Sequence, residues 1–352
     1  THVAPSSGEA WFNRAIAEES LGLREMAVRS WRVAAEMGQD PGWSNEARDV
    51  ADRLASTTQD RDSRVRETWR RVAADFGRTI SATEVPPDIL TEVLERHLLL
   101  RWTDEYDRAP ATAAIWLESA VRIATELTST TGDRQAHDTV TGLSRVCSRR
   151  TAMCVRAIDA YRRFVAGTVA WEAEDRDSAY AAFRASHDGL AAAGLPEAGW
   201  VTAYLALREF YAGRFREALK TARAAMARAR ISRHVSLRSR LEWLVGLVEG
   251  ERGNWSHAAS FLRSSAEGFA SCRQVGMAGA VQNLLADYNR LLGNFDDAWI
   301  HQLTALETLE NGKTLHRQPI LSAAGSLASD QGWLRAALAF QNQAVAELRD
   351  AS

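Results

Sequence analysis

The hexapeptide Gly-Arg-Phe-Arg-Glu-Ala occupies residues 213–218, and related hexapeptides follow it along the chain. They read Gly-Asn-Trp-Ser-His-Ala at 253–258, Gly-Asn-Phe-Asp-Asp-Ala at 293–298 and Gly-Trp-Leu-Arg-Ala-Ala at 332–337. Their last alanines are 40, 40 and 39 residues apart, and a step of 39 back from Ala218 reaches Ala179. A fixed period of this length indicates an array of repeated helical units.

Each recurring position of the hexapeptide suits a helical hairpin. Glycine tolerates the left-handed backbone conformation that ends a helix. The aromatic residue two positions later is expected to fill the corner between paired helices, and the alanine allows the second helix to approach the first closely. Before residue 293, Val281, Leu284, Leu285 and Tyr288 follow the spacing of an amphipathic helix. Because one hairpin cannot bury its apolar face alone, neighbouring hairpins are expected to stack.

The composition favours helix throughout. Only 7 prolines occur among 352 residues, and the apolar set is rich in alanine and leucine, which enter helices at little cost. We predict an all-α fold, an α-solenoid of tetratricopeptide-like hairpins with a period of about 40 residues in the C-terminal half. Its regions are an N-terminal unit at 1–57, an irregular helical region at 58–158 with helices at 113–128 and 133–158, and about five hairpins at 159–352.

The N-terminal unit has its own version of the pattern. Trp11 opens a helix, Gly22 ends it, Ala27 and Trp31 mark the second helix, and Pro41 follows. This order of tryptophan, alanine, aromatic residue and proline is typical of a tetratricopeptide repeat.

Several segments resemble the tetratricopeptide region of bacterial CHAT-domain proteins. The likeness, with gaps, runs from about residue 10 to the end of the sequence, and it is carried by the segments 10–15, 21–25, 41–44, 100–102, 131–134, 297–302 and 339–343. In that family, helical repeats precede a C-terminal caspase-like domain with a His/Cys dyad and act as a sensing and docking arm. The resemblance implies that such a protease domain lies beyond Ser352, because no position of this sequence matches the family's catalytic residues.

Charge and cysteine content narrow the classes of function. The formal net charge of −2 provides no global field for nucleic acid or an anionic membrane. No apolar run approaches the roughly 20 residues that span a bilayer. The odd cysteine count, at Cys147, Cys154 and Cys272, makes no disulfide framework, so we expect reduced thiols and a cytoplasmic protein.

The candidates for chemistry are weak. Cys147 and Cys154 lack the two further ligands that zinc requires, so we predict no metal site and a structural role for both. His137 lies between Asp133 and Asp138, where a carboxylate could orient it as a base or ligand, but an exposed charged face explains it equally well.

A nucleophilic pair of Cys272 with His257 or His316 is conceivable, but the sequence around Cys272 has no recognisable nucleophile context. We therefore predict no catalytic residue and no cofactor, and we predict that this chain alone is not an enzyme.

One stretch is markedly basic. It contains Arg145, Arg149, Arg150, Arg156, Arg162 and Arg163. Phosphate binding is one interpretation. Asp159 interrupts the run, so a solvated or salt-bridged face is the preferred one.

The predicted binding groove lies along the first helix of each hairpin. Counting back from the corner glycines gives Trp200, Leu207 and Tyr211, then Arg240, Trp243 and Leu247, then Asn283, Asp287 and Arg290. Aromatic residues and arginine dominate binding energy at interfaces, although core packing between hairpins is the competing interpretation for the two tryptophans.

These observations favour a protein-interaction array that binds a protein or peptide, including the chain's own protease domain. The alternatives are a regulator module that senses a ligand or nucleic acid, and an enzyme acting by itself.

Overall fold

The computed structural model describes residues 8–21, 23–38, 40–56, 61–78, 80–81, 83–308 and 317–349. These residues divide into two compact units. Unit 1 combines residues 1–61 with 275–352, and unit 2 comprises residues 62–274. The predicted all-α class is confirmed for the described residues, which contain helices and no strand.

Unit 1 is built from helices of both chain ends. They are α1 (Gly8–Ser20), α2 (Arg24–Met37), α3 (Pro41–Ser56), α15 (Val275–Leu291), α16 (Phe295–Glu307), α17 (Arg317–Asp330) and α18 (Leu334–Arg349). Leu23 shares an apolar cluster with Leu306, Ile320 and Phe340, all at most 4% exposed. Leu23 thus joins the core of the last hairpins, whereas Ala15, Ala27 and Trp31 belong to a separate core of the N-terminal helices.

Unit 2 contains the remaining helices. They are α4 (Arg61–Asp75), α5 (Pro87–Glu92), a π-helical segment (Val93–Leu98), α6 (Leu99–Glu105), α7 (Pro110–Thr131), α8 (Gln135–Val146), α9 (Ala152–Glu172), α10 (Arg176–Ala193), α11 (Glu197–Tyr211), α12 (Phe215–Ser232), α13 (Val235–Glu251) and α14 (Trp255–Ser271). From α5 to α14, consecutive helices pack against each other. Pro87 and Pro110 each begin a helix, where proline's missing N–H costs nothing.

The repeated hexapeptides lie at helix corners. Gly213, Gly253, Gly293 and Gly332 have φ between 72° and 79°. The alanines that end the first three hexapeptides are fully buried. Left-handed glycines and buried alanines are what the pattern predicts, but Leu334, which replaces the aromatic residue in the last hexapeptide, is 68% exposed and fills no corner.

The degenerate copy that ends at Ala179 keeps the same corner with other residues. Glu174 stands in the glycine position and still adopts a φ of 61°. Arg176 stands in the aromatic position, and its guanidinium lies 3.8 Å from the ring centre of Trp171. Asp175 caps α10 by accepting a hydrogen bond from the backbone N–H of Ser178 at 3.1 Å.

The prediction of one helix over 133–158 is wrong. The segment forms α8 and the start of α9, separated by residues 147–151. Thr151 begins α9 by accepting a hydrogen bond from the N–H of Cys154 at 3.2 Å. Threonine stabilises helix N-termini in this way, so the local cap prevails over the continuous apolar spacing.

The expectation of three reduced thiols is also wrong. Cys147 and Cys154 form a disulfide across the α8–α9 junction, and Cys272 is the free cysteine. The sequence argument counted cysteines, but the chain reversal between α8 and α9 decides which of them meet. Since disulfides persist mainly in oxidising compartments, the cysteines lend no support to a cytoplasmic location. Among the described helices, none has both the length and the apolarity to cross a bilayer.

Candidate functional site

A cavity of about 200 Å³ lies within unit 2. Its wall combines residues from the π-helical segment, the α7–α8 connection, α9, α11, α13 and the end of α14. Glu95, Asp133, Phe164, Trp200, Tyr204 and Cys272 are among the lining residues. The cavity therefore has acidic groups on one part of its wall and aromatic rings on another.

The π-helical segment presents two charged residues at this wall. Helical segments with the wider π hydrogen-bond pattern are rare and occur frequently at functional sites. Arg96 makes a bidentate pair with Glu172, with both N–O distances at 2.5 Å. The carboxylate of Glu95 makes no hydrogen bond or ion pair with any residue for which the structure gives a position. Arg96 is thus already neutralised by a partner, whereas Glu95 is not.

Asp133 ties two helices together beside the cavity. One carboxylate oxygen accepts hydrogen bonds from the N–H groups of Gln135 and Val235, each at 3.1 Å. The other accepts from the N–H of Ser236 at 3.0 Å. These donors belong to the first turns of α8 and α13, where backbone N–H groups lack helical partners. Gly132, left-handed at φ 70°, ends α7 and directs the chain into this position.

Two glutamates in the cavity region have raised pKa values. Burial, followed by the nearby Glu197, raises the pKa of Glu95 to about 8 although Arg96 opposes the shift. Burial also raises the pKa of Glu197 to about 7, although Thr139 donates a hydrogen bond to its Oε1 at 2.5 Å. Near neutral pH, Glu95 is therefore largely protonated, because burial and the neighbouring carboxylates outweigh the stabilisation of its charged form by Arg96.

The aromatic part of the wall belongs to a larger ring cluster. Tyr204 stacks on Phe183 with ring centres 4.3 Å apart, and it lies 5.0 Å from Trp171 and 6.4 Å from Trp200. The indole Nε1 of Trp200 is buried and has no hydrogen-bond partner among the described atoms. Buried indole N–H groups usually find an acceptor, so this donor is unsatisfied although its residue lines the cavity.

The predicted groove residues of unit 2 lie on α11 and α13. Trp200 lines the cavity, and Tyr211 is 66% exposed three turns further along α11. The guanidinium of Arg240 lies 4.2 Å from the ring centre of Trp243 and 6.0 Å from that of Tyr204. Burial lowers the pKa of Arg240. Leu207 is 2% exposed and belongs to the core.

The predicted groove residues of unit 1 form a separate polar set on α15. Asp287 lies 3.5 Å from Arg290, which also pairs with Asp330 at 2.8 Å. Burial raises the pKa of Asp287, and Arg290 opposes that shift. The side-chain oxygen of Asn283 is buried without a hydrogen bond. Whether either set forms a groove stays a prediction.

The sequence-based search missed Glu95, Glu197 and Tyr204, and it considered Asp133 only as a partner for His137. A signal existed for Glu95, since Glu95, Arg96 and His97 interrupt an otherwise apolar run over residues 93–100. Charges in such a run are costly to bury unless they are paired or hydrogen-bonded.

The carboxylate beside His137 is Asp138 and not Asp133. Its Nδ1 lies 3.4 Å from Asp138, and Asp138 also contacts His234 at 3.1 Å, whereas Asp133 is engaged at the helix N-termini. A search of the described ranges finds no group of three histidine, cysteine or acidic side chains that could hold a metal ion.

Cys272 is poorly suited to nucleophilic attack. Its Sγ lies 3.8 Å from Asp133, and burial together with that carboxylate raises the pKa of the thiol to about 12. The thiolate is the nucleophile, so this environment suppresses it. His316, one proposed partner, lies outside the described residues.

Half of the basic stretch is salt-bridged. Arg150 pairs with Asp107 at 2.9 Å, Arg162 with Asp104 at 2.8 Å and Arg163 with Asp159 at 2.9 Å. These three pairs agree with the preferred interpretation of a salt-bridged face.

Comparison of the sequence with protein-family models and with curated proteins finds no match. The function must therefore be argued from the cavity and the surfaces beside it.

Proposed function

We propose that this chain is a helical-repeat module that binds a protein partner, and that the cavity of unit 2 and the aromatic face beside it receive an extended segment of that partner. The observation that carries the proposal is the buried, unpartnered indole N–H of Trp200 at the wall of a cavity that also holds the unpaired carboxylate of Glu95. Unsatisfied polar groups in a cavity mark a place where a ligand can supply the missing partner.

The size of the cavity favours a side chain over a whole small molecule. Pockets for drug-sized ligands and cofactors have volumes of about 300–1,000 Å³, whereas this cavity has about 200 Å³. The face continues beyond it through Arg240 and Trp243 to the exposed ring of Tyr211. A peptide would insert one side chain into the cavity, and its remaining residues would lie along this face.

The proposal extends to the architecture. The left-handed corners and buried alanines at the hexapeptides support stacked tetratricopeptide-like hairpins with a period of about 40 residues, which would form a solenoid. In the form that the resemblance implies, the array is the regulatory arm of a CHAT-type caspase-like protease.

A peptide-binding selection with the purified chain tests the proposal. Peptides enriched from a random display library are measured against Tyr211→Ala and Arg240→Gln, with Arg216→Gln as the matched control because Arg216 is exposed on α12. We expect both test variants to weaken binding about tenfold or more and the control to bind as the parent does. Retained affinity in both test variants would remove α11 and α13 from the binding surface.

The nucleic-acid alternative makes a distinct prediction. Arg145, Arg149 and Arg156 have no ion pair among the described side chains, so they would carry phosphate binding. Gel-shift measurements at low and moderate salt should then show binding that weakens steeply with salt. We expect no such complex.

A further inference from the structure

We propose that the cavity of unit 2 is a recognition pocket for one cationic side chain of the bound partner, an arginine or a lysine, with its backbone carbonyl accepting from Trp200. The inference rests on the proposed function, because it names the chemistry that the same cavity selects.

The first argument is the charge balance. Glu95 and Asp133 line the cavity, and Glu197 lies close enough to raise the pKa of Glu95. The only basic side chain in the described wall is Arg96, which is paired with Glu172 and lies 3.7 Å from Glu92. Carboxylates therefore outnumber cations, and a positive charge would be attracted here.

The second argument is the aromatic wall. Phe164, Trp200 and Tyr204 line the cavity, and the negative faces of aromatic rings attract cations. One turn along α13 from the cavity residue Ser236, the protein already places a cation in this way, with Arg240 at 4.2 Å from the ring centre of Trp243. A carboxylate opposite aromatic rings attracts a cationic side chain more strongly than it repels a neutral polar one. The charge of the side chain should therefore dominate the selection.

The third argument is the unused donor. The Nε1 of Trp200 is buried without a partner, and an indole N–H cannot bond a cation. It requires an acceptor. A peptide carries a carbonyl oxygen next to every side chain, whereas a simple amine or guanidine carries none. The pairing of acidic groups with an unpaired N–H thus points to a side chain on a peptide.

Binding should be coupled to proton release. The groups that face Glu95 are Glu197 on α11, Asp133 before α8, Tyr161 on α9, Tyr204 on α11, and Arg96 and Glu92 on its own helix. In the free protein this setting raises the pKa of Glu95 to about 8. A bound cation favours the ionised form and lowers that pKa, so affinity should rise as the pH increases from 6 towards 8 and then level off.

The experiment uses the full chain and two small probes. ¹⁵N-labelled protein is titrated at pH 8 with N-acetyl-arginine amide and with N-acetyl-citrulline amide, which has the same shape without the charge. The indole resonance of Trp200, assigned with Trp200→Phe, reports binding at the cavity itself. We expect the arginine probe to bind about tenfold or more tightly than the citrulline probe, and N-acetyl-lysine amide to bind more tightly than its Nε-acetylated form.

Variants and pH complete the test. Glu95→Gln should weaken the arginine probe about tenfold and reduce the rise in affinity between pH 6 and pH 8 to the part that comes from Glu197. Glu217→Gln makes the same chemical change on the exposed surface of α12 and should have neither effect. The glutamine resembles the protonated carboxyl that is present near neutral pH, so the fold should tolerate it.

The failures of the two proposals can be told apart. Equal affinity for the arginine and citrulline probes, or a pH-independent affinity in the parent protein, would overturn the cationic pocket. If selected peptides still lose affinity in Tyr211→Ala while the charge preference is absent, only the pocket's chemistry is refuted. If neither peptides nor probes perturb Trp200, the proposed function fails as well.

Discussion

Replacing Asp133 by alanine should destabilise unit 2 through the N-termini of two helices. The substitution removes three hydrogen bonds, from Gln135 at the start of α8 and from Val235 and Ser236 at the start of α13. Loss of a side-chain cap costs about 1–2 kcal/mol for each helix, so the free energy of unfolding should fall by about 2–4 kcal/mol for the two together. Asp133→Asn keeps one acceptor oxygen and should lose about half as much.

The measurement is urea unfolding followed by far-ultraviolet circular dichroism, with separate midpoints fitted if the two units unfold separately. Asp188→Ala is the control, because Asp188 on α10 is fully exposed and its loss should change stability by less than about 0.5 kcal/mol. If Asp133→Ala were no more destabilising than Asp188→Ala, Asp133 would not join the two helices. The position of α8 beside α13 at the cavity wall would then have to depend on other contacts.

Three further outcomes follow from the local structure. Under denaturing, non-reducing conditions a thiol assay should find one free thiol per chain, and Cys147→Ser with Cys154→Ser should lower the free energy of unfolding by about 2.5 kcal/mol, the value for a loop of this short length. A count of three thiols would contradict the pairing. Because burial raises the pKa of Cys272 to about 12, its alkylation in the folded protein should stay far slower than that of free cysteine up to pH 9, and rapid alkylation would refute the burial. Gly253→Ala should cost about 1–2 kcal/mol in thermal or urea unfolding, since Gly253 has a φ of 79°, and an unchanged midpoint would show that this corner tolerates a side chain.

The hexapeptides could be interpreted without a structure because their information is local. A glycine followed five residues later by an alanine specifies a left-handed corner and a close helix contact, and both are present at residues 213–218, 253–258 and 293–298. The corner at Glu174 was less predictable, since an L-residue takes the left-handed conformation there and Arg176, which lies over Trp171, replaces the aromatic residue. Such compensation involves side-chain contacts that a pattern of residue types does not record.

The disulfide shows the limit of arguments from counting. Cys147 and Cys154 are seven residues apart, a spacing that in one continuous helix would keep both on the same face without bonding them. The pair forms because α8 ends at Val146 and the chain turns before α9. The cap at Thr151 is a small energetic preference that the apolar spacing of the sequence does not show.

The all-helical class and the helix corners followed from the sequence alone, because helix propensity, glycine conformation and apolar spacing act over a few neighbouring residues. The cavity depended on tertiary packing. It gathers Glu95, Asp133, Trp200 and Cys272 from four distant segments of the chain. The raised pKa of Glu95 and the unpartnered indole N–H of Trp200 arise only when packing buries these groups. The same is true of unit 1, where Leu23 and Phe340 meet across nearly the whole chain, since an apolar face at one end of the sequence does not reveal which other face will cover it.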